Sequence, residues 1–423
     1  MFSEAGVWSV RSDQGDGTMD RRAVRRLAGV GLITAFVAGA SSSFAATETT
    51  VDCGAGADLQ AAINAAPKGA ILDISGRCVG SFTVGRNLTL KGVSNAVLDG
   101  GGSRTVTSGT TLTITAGKVR LSKLLVTGGF PDSGVGGVLN AGSLTLTHVT
   151  VSGNEGDFGG IVNHGTLTVL RSVVTKNLGG VGGIWNLGTA TVGHTTISSN
   201  GENGIVNGEW FSGSPAGTLT VTDSTVNNNG ATFGGGIDNE SGSAAVVRST
   251  IANNFADNGA GGGIANRRGN RLTVVASTIS GNTTDEGGGG IWTDGPTTVT
   301  GTIIAGNTDS NDGSAQDCTG VPTSGGYNLF GTPCGTAQAT DQVGTADAPL
   351  NALLKALGSY GGPTQTMVPR TTSPAVNKVP IGATSSDGTI ALCPSSGTTD
   401  QRGIPRPQSG ACDIGSVERK PRE

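Results

Sequence analysis

Apolar and polar positions follow a repeating pattern through residues 135–310. Each unit reads Gly-Gly-aliphatic-X-Asn, then a segment like Leu-Thr-Val, then a segment like Thr-Ile-Ser-Gly-Asn. Alternation with a period of two, together with many Thr and Val residues, predicts short strands. A repeat of this length indicates a stacked solenoid. The units end at asparagines spaced 23 to 29 residues apart: Asn154, Asn177, Asn200, Asn229, Asn254, Asn282 and Asn307.

Three apolar columns run through the repeat, which predicts an all-β, right-handed parallel β-helix with about three strands per rung. One rung cannot bury its apolar face alone, so successive rungs must stack at about 4.8 Å. The first column consists of Val138, Ile161, Ile184, Ile205, Ile237, Ile264 and Ile291. A column of threonines should face outward: Thr145, Thr168, Thr191, Thr220 and Thr273. A leucine-rich repeat is excluded because no helical stretch occurs within the period.

Turns between the strands account for the abundance of Gly, which makes up 74 of 423 residues. Glycine readily adopts the positive φ of tight corners. The repeated asparagines are interpreted as turn residues for the same reason, since Asn tolerates the left-handed region. Stacked Asn side chains could also bond one another along a ladder.

The pattern divides the chain into four regions. Residues 1–46 are predicted to be a leader and signal peptide, with arginines before an apolar run at 27–40 and cleavage near Ala45/Ala46. A retained membrane anchor is the alternative, and the short run disfavours it. Residues 47–80 form an N-terminal cap with a short amphipathic helix at 58–66. Residues 81–310 form the β-helix, and residues 311–423 form an irregular C-terminal region with a helix-like segment at 350–357.

Composition narrows the chemistry. A net charge of −4, 14% charged residues and no basic cluster argue against nucleic acid as a partner. Six cysteines in an exported chain favour disulfides over zinc, because no Cys-x-x-Cys spacing occurs. Local pairing is the simplest choice, and it gives Cys53–Cys78, Cys318–Cys334 and Cys393–Cys412. No cofactor is expected, although residues 309–313 loosely resemble a calcium loop.

Two resemblances add to this reading. The rungs resemble the Gly-Gly-Ala-Ile repeats of chlamydial polymorphic outer membrane proteins, best seen in Phe-Gly-Gly-Ile-Val-Asn at 158–163. The tail is similar to the choice-of-anchor Q domain of bacterial exported proteins. The matching motifs are Gly-Tyr-Asn-Leu-Phe at 326–330, Tyr-Gly-Gly-Pro-Thr at 360–364, Asp-Gln-Arg-Gly-Ile-Pro at 400–405 and Cys-Asp-Ile-Gly-Ser at 412–416. This resemblance implies an exported β-helix protein and no defined activity.

One polar column is the candidate for catalysis. His148, Arg171, His194, Asp223 and Arg248 occupy equivalent repeat positions, so stacking should place Asp223 between His194 and Arg248. Acid–base cleavage of polysaccharides needs clustered carboxylates, and no adjacent Asp-Asp pair occurs on a rung. The alternative interpretation is a solvated polar column at a strand end. Asp400, Arg402, Asp413 and Glu418 could instead form a buried ion-pair network in the tail.

Binding is the leading functional hypothesis. Trp185 and Trp292 follow inward-facing isoleucines, so they should point outward, where aromatic rings can stack on sugars. Trp210 lies in a longer insertion nearby. We therefore expect a secreted or cell-surface protein that binds glycans or surfaces, with no transmembrane segment after export. A polysaccharide-degrading enzyme and a purely structural envelope component are the alternatives, and the sequence leaves the oligomeric state open.

Overall fold

The computed structural model describes residues 47–209, 216–385 and 387–421. The predicted leader, residues 1–46, and Trp210 lie outside the described residues. Short parallel strands stack rung on rung in four ladders, which confirms the predicted all-β parallel β-helix. No helix in the described ranges is long and apolar enough to cross a membrane.

The first ladder carries the Ile-X-Asn strands. Its central residues pair in register from rung to rung, for example Trp185 with Val206 and Val206 with Asp238. The strands are Phe82–Val84, Leu112–Ile114, Val138–Asn140, Ile161–Asn163, Ile184–Asn186, Ile205–Asn207, Ile237–Asn239, Ile264–Asn266, Ile291–Thr293 and Cys318–Thr319.

The second ladder carries the Leu-Thr-Val strands and the third carries the Thr-Ile-Ser strands. The second contains Lys118–Ser122, Ser143–Thr147, Thr166–Leu170, Thr189–Gly193, Gly217–Thr222, Gly242–Val247, Arg271–Val275, Thr297–Thr300 and Thr323–Ser324. The third contains Leu125–Thr127, Thr150–Ser152, Val173–Thr175, Thr196–Ser198, Thr225–Asn227, Thr250–Ala252, Thr278–Ser280, Ile303–Ile304, Leu329–Phe330 and Gln342–Val343. The long strands Ile71–Val79 and Leu88–Asp99 stack beneath them, preceded by Glu48–Asp52.

A fourth, short ladder lies beyond the repeat asparagines: Gly230–Ala231, Phe255–Ala256, Thr283–Thr284 and Thr308–Asp309. Inside the ladders, the aliphatic columns form one continuous core, and Ile184, Ile205 and Ile237 are fully buried. The predicted outward threonine column is partly or fully exposed along the second ladder. The stack reaches from residue 48 to residue 343, past both predicted boundaries at 81 and 310.

A helix caps the N-terminal end as predicted. Helix α1 spans Leu59–Ala65, and the Asp58 side chain accepts a hydrogen bond from the Ala61 amide at 3.0 Å. An aspartate at this position satisfies an amide that the first helical turn leaves unpaired. Leu59 and Ile63 are buried in the core, so the helix covers the apolar interior of the first rungs.

The repeat asparagines stack in two buried side-chain ladders, and this corrects their interpretation as left-handed turn residues. The side-chain amide of Asn140 donates to the side-chain oxygen of Asn163, and this contact recurs through Asn266 at 2.6–2.8 Å. A second ladder starts at Asn154 and ends on the carboxylate of Asp317. Positive φ belongs instead to the residue before each asparagine of the second ladder: Gly153, Lys176, Ser199, Asn228, Asn253, Gly281 and Gly306.

The C-terminal region folds back along the flank of the β-helix. Residues 350–357 are not helical, because Leu353 has a φ of 49° and neighbouring apolar side chains pack in a second core with Ile303 and Leu329. Two strand pairs occur here: Val379–Pro380 with Ala411–Cys412, and Thr398–Thr399 with Pro405–Arg406. The structure contains the disulfides Cys53–Cys78, Cys318–Cys334 and Cys393–Cys412.

The junction between this region and the β-helix is polar and buried. The side chain of Gln401 bonds the Thr225 hydroxyl at 2.9 Å and the Thr250 hydroxyl at 2.7 Å. Arg402 bonds Asp400 at 3.0 Å, and Arg406 bonds Glu418 at 3.1 Å. These contacts form the buried ion-pair network that the tail motifs suggested.

Candidate functional site

The polar column that the sequence offered for catalysis is a corner of the backbone. His148, Arg171, His194, Asp223 and Arg248 all have φ between 45° and 55°. Within the column, Arg248 contacts Asp223: Arg248 Nε and Nη2 donate to the two carboxylate oxygens at 2.8 and 3.0 Å. His148 and Arg171 are exposed. The column therefore forms a corner of the backbone. Of the contacts expected from the sequence, the structure shows the pair Asp223–Arg248.

Trp185 does not stand free on the surface. Its indole nitrogen donates to the carbonyl oxygen of Gly208 at 2.9 Å, and its ring lies 4.3 Å from the ring of Phe158. Phe158 belongs to a preceding loop, so a neighbouring segment partly covers Trp185, and the ring is not fully exposed as the sequence predicted. Trp185 and Trp292 are both half-buried.

A cleft of about 290 Å³ opens in the same column, midway between these two tryptophans. Pairing runs from Trp185 through Val206 to Asp238 and on through Ala265 to Trp292. Each tryptophan thus lies two rungs, or about 10 Å, from Asp238. We call this the Asp238 cleft, and it is lined by Gly180, Glu202, Asn203, Thr232, Phe233, Asp238, Glu240, Arg267 and Arg268.

A turn at Gly234 packs closely against the backbone of Asp238. Gly234 has a φ of +55°, and a Cβ at this position would lie 2.6 Å from the Asp238 Cα. Only glycine allows the loop to fold this closely over its own strand. The turn also places the Phe233 ring beside the cleft, where the Arg267 guanidinium carbon lies 4.3 Å from the ring centroid.

Two arginines neutralise the buried carboxylates. Arg267 donates from Nε and Nη2 to the two oxygens of Asp238 at 3.0 and 2.7 Å. Glu240 is fully buried and pairs with both Arg267 and Arg268. Arg268 has a φ of 59° at the tip of a turn, which presents the second guanidinium beside the first. The paired arrangement holds Asp238 and Glu240 in fixed positions.

Burial governs the titration of this cleft. It raises the pKa of Asp238 to about 6, against the opposing hydrogen bonds from Arg267. Burial also raises the pKa of Glu202, which lines the same cleft. Perturbed carboxyl groups that line one concavity are typical of functional sites, although structural ion pairs produce the same shifts.

The sequence pattern missed this cleft although it contained a signal. Asp238 occupies the same outward column as Trp185 and Trp292, and its partner Arg267 lies 29 residues further along the chain. The signal is the register of the ladder: Asn239 pairs with Asn266, so the residues after them, Glu240 and Arg267, occupy equivalent corners of adjacent rungs. Opposite charges at equivalent repeat positions predict an ion pair.

No group of metal-ligating side chains occurs among the described residues. In the loosely calcium-like loop, Asp309 and Asp312 each accept a hydrogen bond from a nearby backbone amide at 2.8 Å. These contacts are those of an ordinary polar turn.

Comparisons with known proteins give little beyond the fold. No protein-family model matches the chain, and no curated protein matches it. Among solved structures, a pectate lyase, Pel9A, is similar with a TM-score of 0.37 and 13% sequence identity, and the match covers 89% of this chain and 98% of that chain. A likeness this distant carries no argument about activity. The choice-of-anchor Q resemblance therefore stays a prediction.

Proposed function

We propose that this protein is an extracellular β-helix that binds polysaccharide at the Asp238 cleft without cleaving it. The observation that carries the proposal is the position of the cleft between two half-buried tryptophans in one outer column. Ligand sites combine apolar or aromatic surface with a few fixed polar groups. Trp185, Trp292 and Phe233 would supply ring surface, and the more accessible Glu202 and Arg268 would supply hydrogen bonds to hydroxyl groups.

The pairing of the carboxylates supports binding over cleavage. A general base must be able to take a proton, and the bidentate contact with Arg267 occupies both oxygens of Asp238. Glu240 is held in the same way by two guanidiniums. Three disulfides fit a protein that functions outside the cell.

A polysaccharide-degrading enzyme is the second candidate, and one observation favours it. Glu202 has a raised pKa and shares the cleft with Asp238, so it could act as a general acid. In that case Glu202→Gln would abolish release of new reducing ends from the polymer. Under the binding proposal, no such release occurs with the wild-type chain.

The test measures retention and cleavage together. The chain without residues 1–46 is run through native gels that contain a panel of plant and bacterial polysaccharides, and the same mixtures are assayed for reducing ends. Phe233→Ala removes a cleft wall and should weaken binding about tenfold, which corresponds to about 1.4 kcal/mol. Phe130→Ala, in a different cavity, is the matched control and should bind normally.

Two results would contradict the proposal. If no polymer retards the wild-type chain, a purely structural role gains support. If Phe233→Ala binds as well as Phe130→Ala, the ligand lies elsewhere on the surface.

A further inference from the structure

The Asp238 cleft continues into a second cavity of about 320 Å³. Glu202 and Thr232 line both cavities, so they form the junction. Beyond it, the second cavity is bordered by Phe255 and Asp257, and Phe255 is 37% exposed. We call the two together the joined groove. Its shape suits an extended ligand rather than a compact one.

The charges along the joined groove have a clear sign. Four carboxylates line it, namely Glu202, Asp238, Glu240 and Asp257, together with two guanidiniums, which gives a formal net charge of −2. Arg267 is already paired with Asp238 and Glu240, and Arg268 with Glu240. Both guanidiniums of the groove are therefore already paired with buried carboxylates of the chain.

Glu202 is the carboxylate that lies at the junction of the two cavities, whereas the exposed Asp257 borders only the second cavity. Glu202 is half-buried, whereas Asp238 and Glu240 have exposures of 2% and 0%. Ligand carboxylates near this side chain would add like charge in a partly desolvated place, where repulsion is strongest.

On the basis of the proposed function, we infer that the joined groove selects neutral polysaccharides and rejects uronic-acid polymers, and that Glu202 sets this preference. One ligand charge about 10 Å from a net charge of −2 is disfavoured about fourfold at the dielectric constant of water, and more than about a hundredfold at an effective value of about 20. Removing one negative charge from the groove halves this repulsion energy, so the ratio of neutral to charged affinity should fall to about its square root.

The experiment uses one polymer in two charge states: polygalacturonan and its methyl ester share a backbone and differ in charge. Dissociation constants are measured by affinity electrophoresis at about 10 mM ionic strength, where screening acts only beyond about 30 Å. Neutral galactan serves as a second uncharged ligand. The wild-type chain should bind the ester and galactan more tightly than the acid.

Glu202→Gln should narrow the preference, and Asp347→Asn, which removes an exposed charge outside the groove, should leave it unchanged. Circular dichroism checks that both variants fold. If the wild-type chain binds the acid form more tightly, the inference is overturned and the proposed function stands. The same conclusion follows if Glu202→Gln keeps the preference of the wild-type chain for the uncharged polymer. Failure to bind any neutral or acidic polymer overturns both.

Discussion

A residue of the buried asparagine ladder needs its side chain, whereas the residue before it needs only a left-handed backbone. One pair of substitutions distinguishes these two requirements. Asn228 is exposed with a φ of 54°, whereas Asn229 is 2% exposed and belongs to the ladder. Replacing each with glycine tests which residue needs its side chain. We expect Asn229→Gly to destabilise the fold strongly and Asn228→Gly to be nearly neutral.

The expected loss follows from the contacts of Asn229. Its side-chain oxygen accepts from the backbone amide of Asn200 at 3.1 Å and from the side-chain amide of Asn200 at 3.0 Å. Its own amide donates to the side-chain oxygen of Asn254 at 3.1 Å. An unsatisfied buried polar group costs about 1 to 3 kcal/mol, and Asn229→Gly removes the acceptor of the Asn200 backbone amide, so it should cost about 3 kcal/mol.

The control substitution isolates the ladder contribution. Glycine adopts the left-handed conformation of Asn228 readily, so Asn228→Gly should change the free energy of unfolding by less than about 0.5 kcal/mol. The extra backbone entropy of an unfolded glycine is common to both variants and cancels in the comparison.

Urea unfolding followed by tryptophan fluorescence measures both variants, and amide hydrogen exchange locates the loss. Because stacked rungs can unfold in parts, exchange should quicken first at residues 197–229. Equal unfolding free energies for the two glycine variants, within about 0.5 kcal/mol, would refute the ladder interpretation and restore the turn interpretation.

Two further predictions concern the C-terminal region. Burial and the neighbouring Glu418 raise the pKa of Asp413 to about 6, above its unfolded value near 4. Protonation of Asp413 therefore stabilises the folded state at low pH, and this contribution is lost as pH rises through 6. Urea unfolding at pH 4 and pH 7 should show Asp413→Asn losing that pH dependence, about 2 kcal/mol, whereas an unchanged dependence would contradict the assignment. Gln401→Ala should speed proteolysis within the region after residue 343 while the rungs stay protected, since it removes the bonds to Thr225 and Thr250. The control is Gln408→Ala, whose half-buried side chain bonds Pro405 within the same region. Cleavage of Gln401→Ala no faster than that of the control would show that the bonds to Thr225 and Thr250 do not hold the region.

The aliphatic columns could be predicted because their positions recur in every unit. Ile184, Ile205 and Ile237 are all fully buried, as the alternation required. The asparagines were correctly predicted to bond along the stack, but their backbone conformation was wrong. The position before them holds Gly153, which accepts any φ, and this was the available signal.

The Glu240–Arg267 pair could be inferred from equivalent repeat positions, but the bidentate contact between Asp238 and Arg267 and the docking of the tail could not. Asp238 and Arg267 lie on different rungs, and only the register of the completed ladder brings them together. In residues 350–357, helix-forming side chains are overridden by tertiary packing, since Ala352 is buried against the flank of the rungs and Leu353 takes a left-handed conformation. Local propensity gives no information about such a docking surface.

The side-chain amides of the two ladders all point the same way, each donating toward the C-terminal neighbour. The asparagine of any internal rung therefore makes the same pair of contacts, accepting from the rung before it and donating to the rung after it. A gene duplication that adds one whole unit leaves no amide stranded, whereas the loss of half a unit strands several. The number of coils can change over evolution, provided that the terminal acceptors stay in place, the Thr293 hydroxyl in the first ladder and the Asp317 carboxylate in the second.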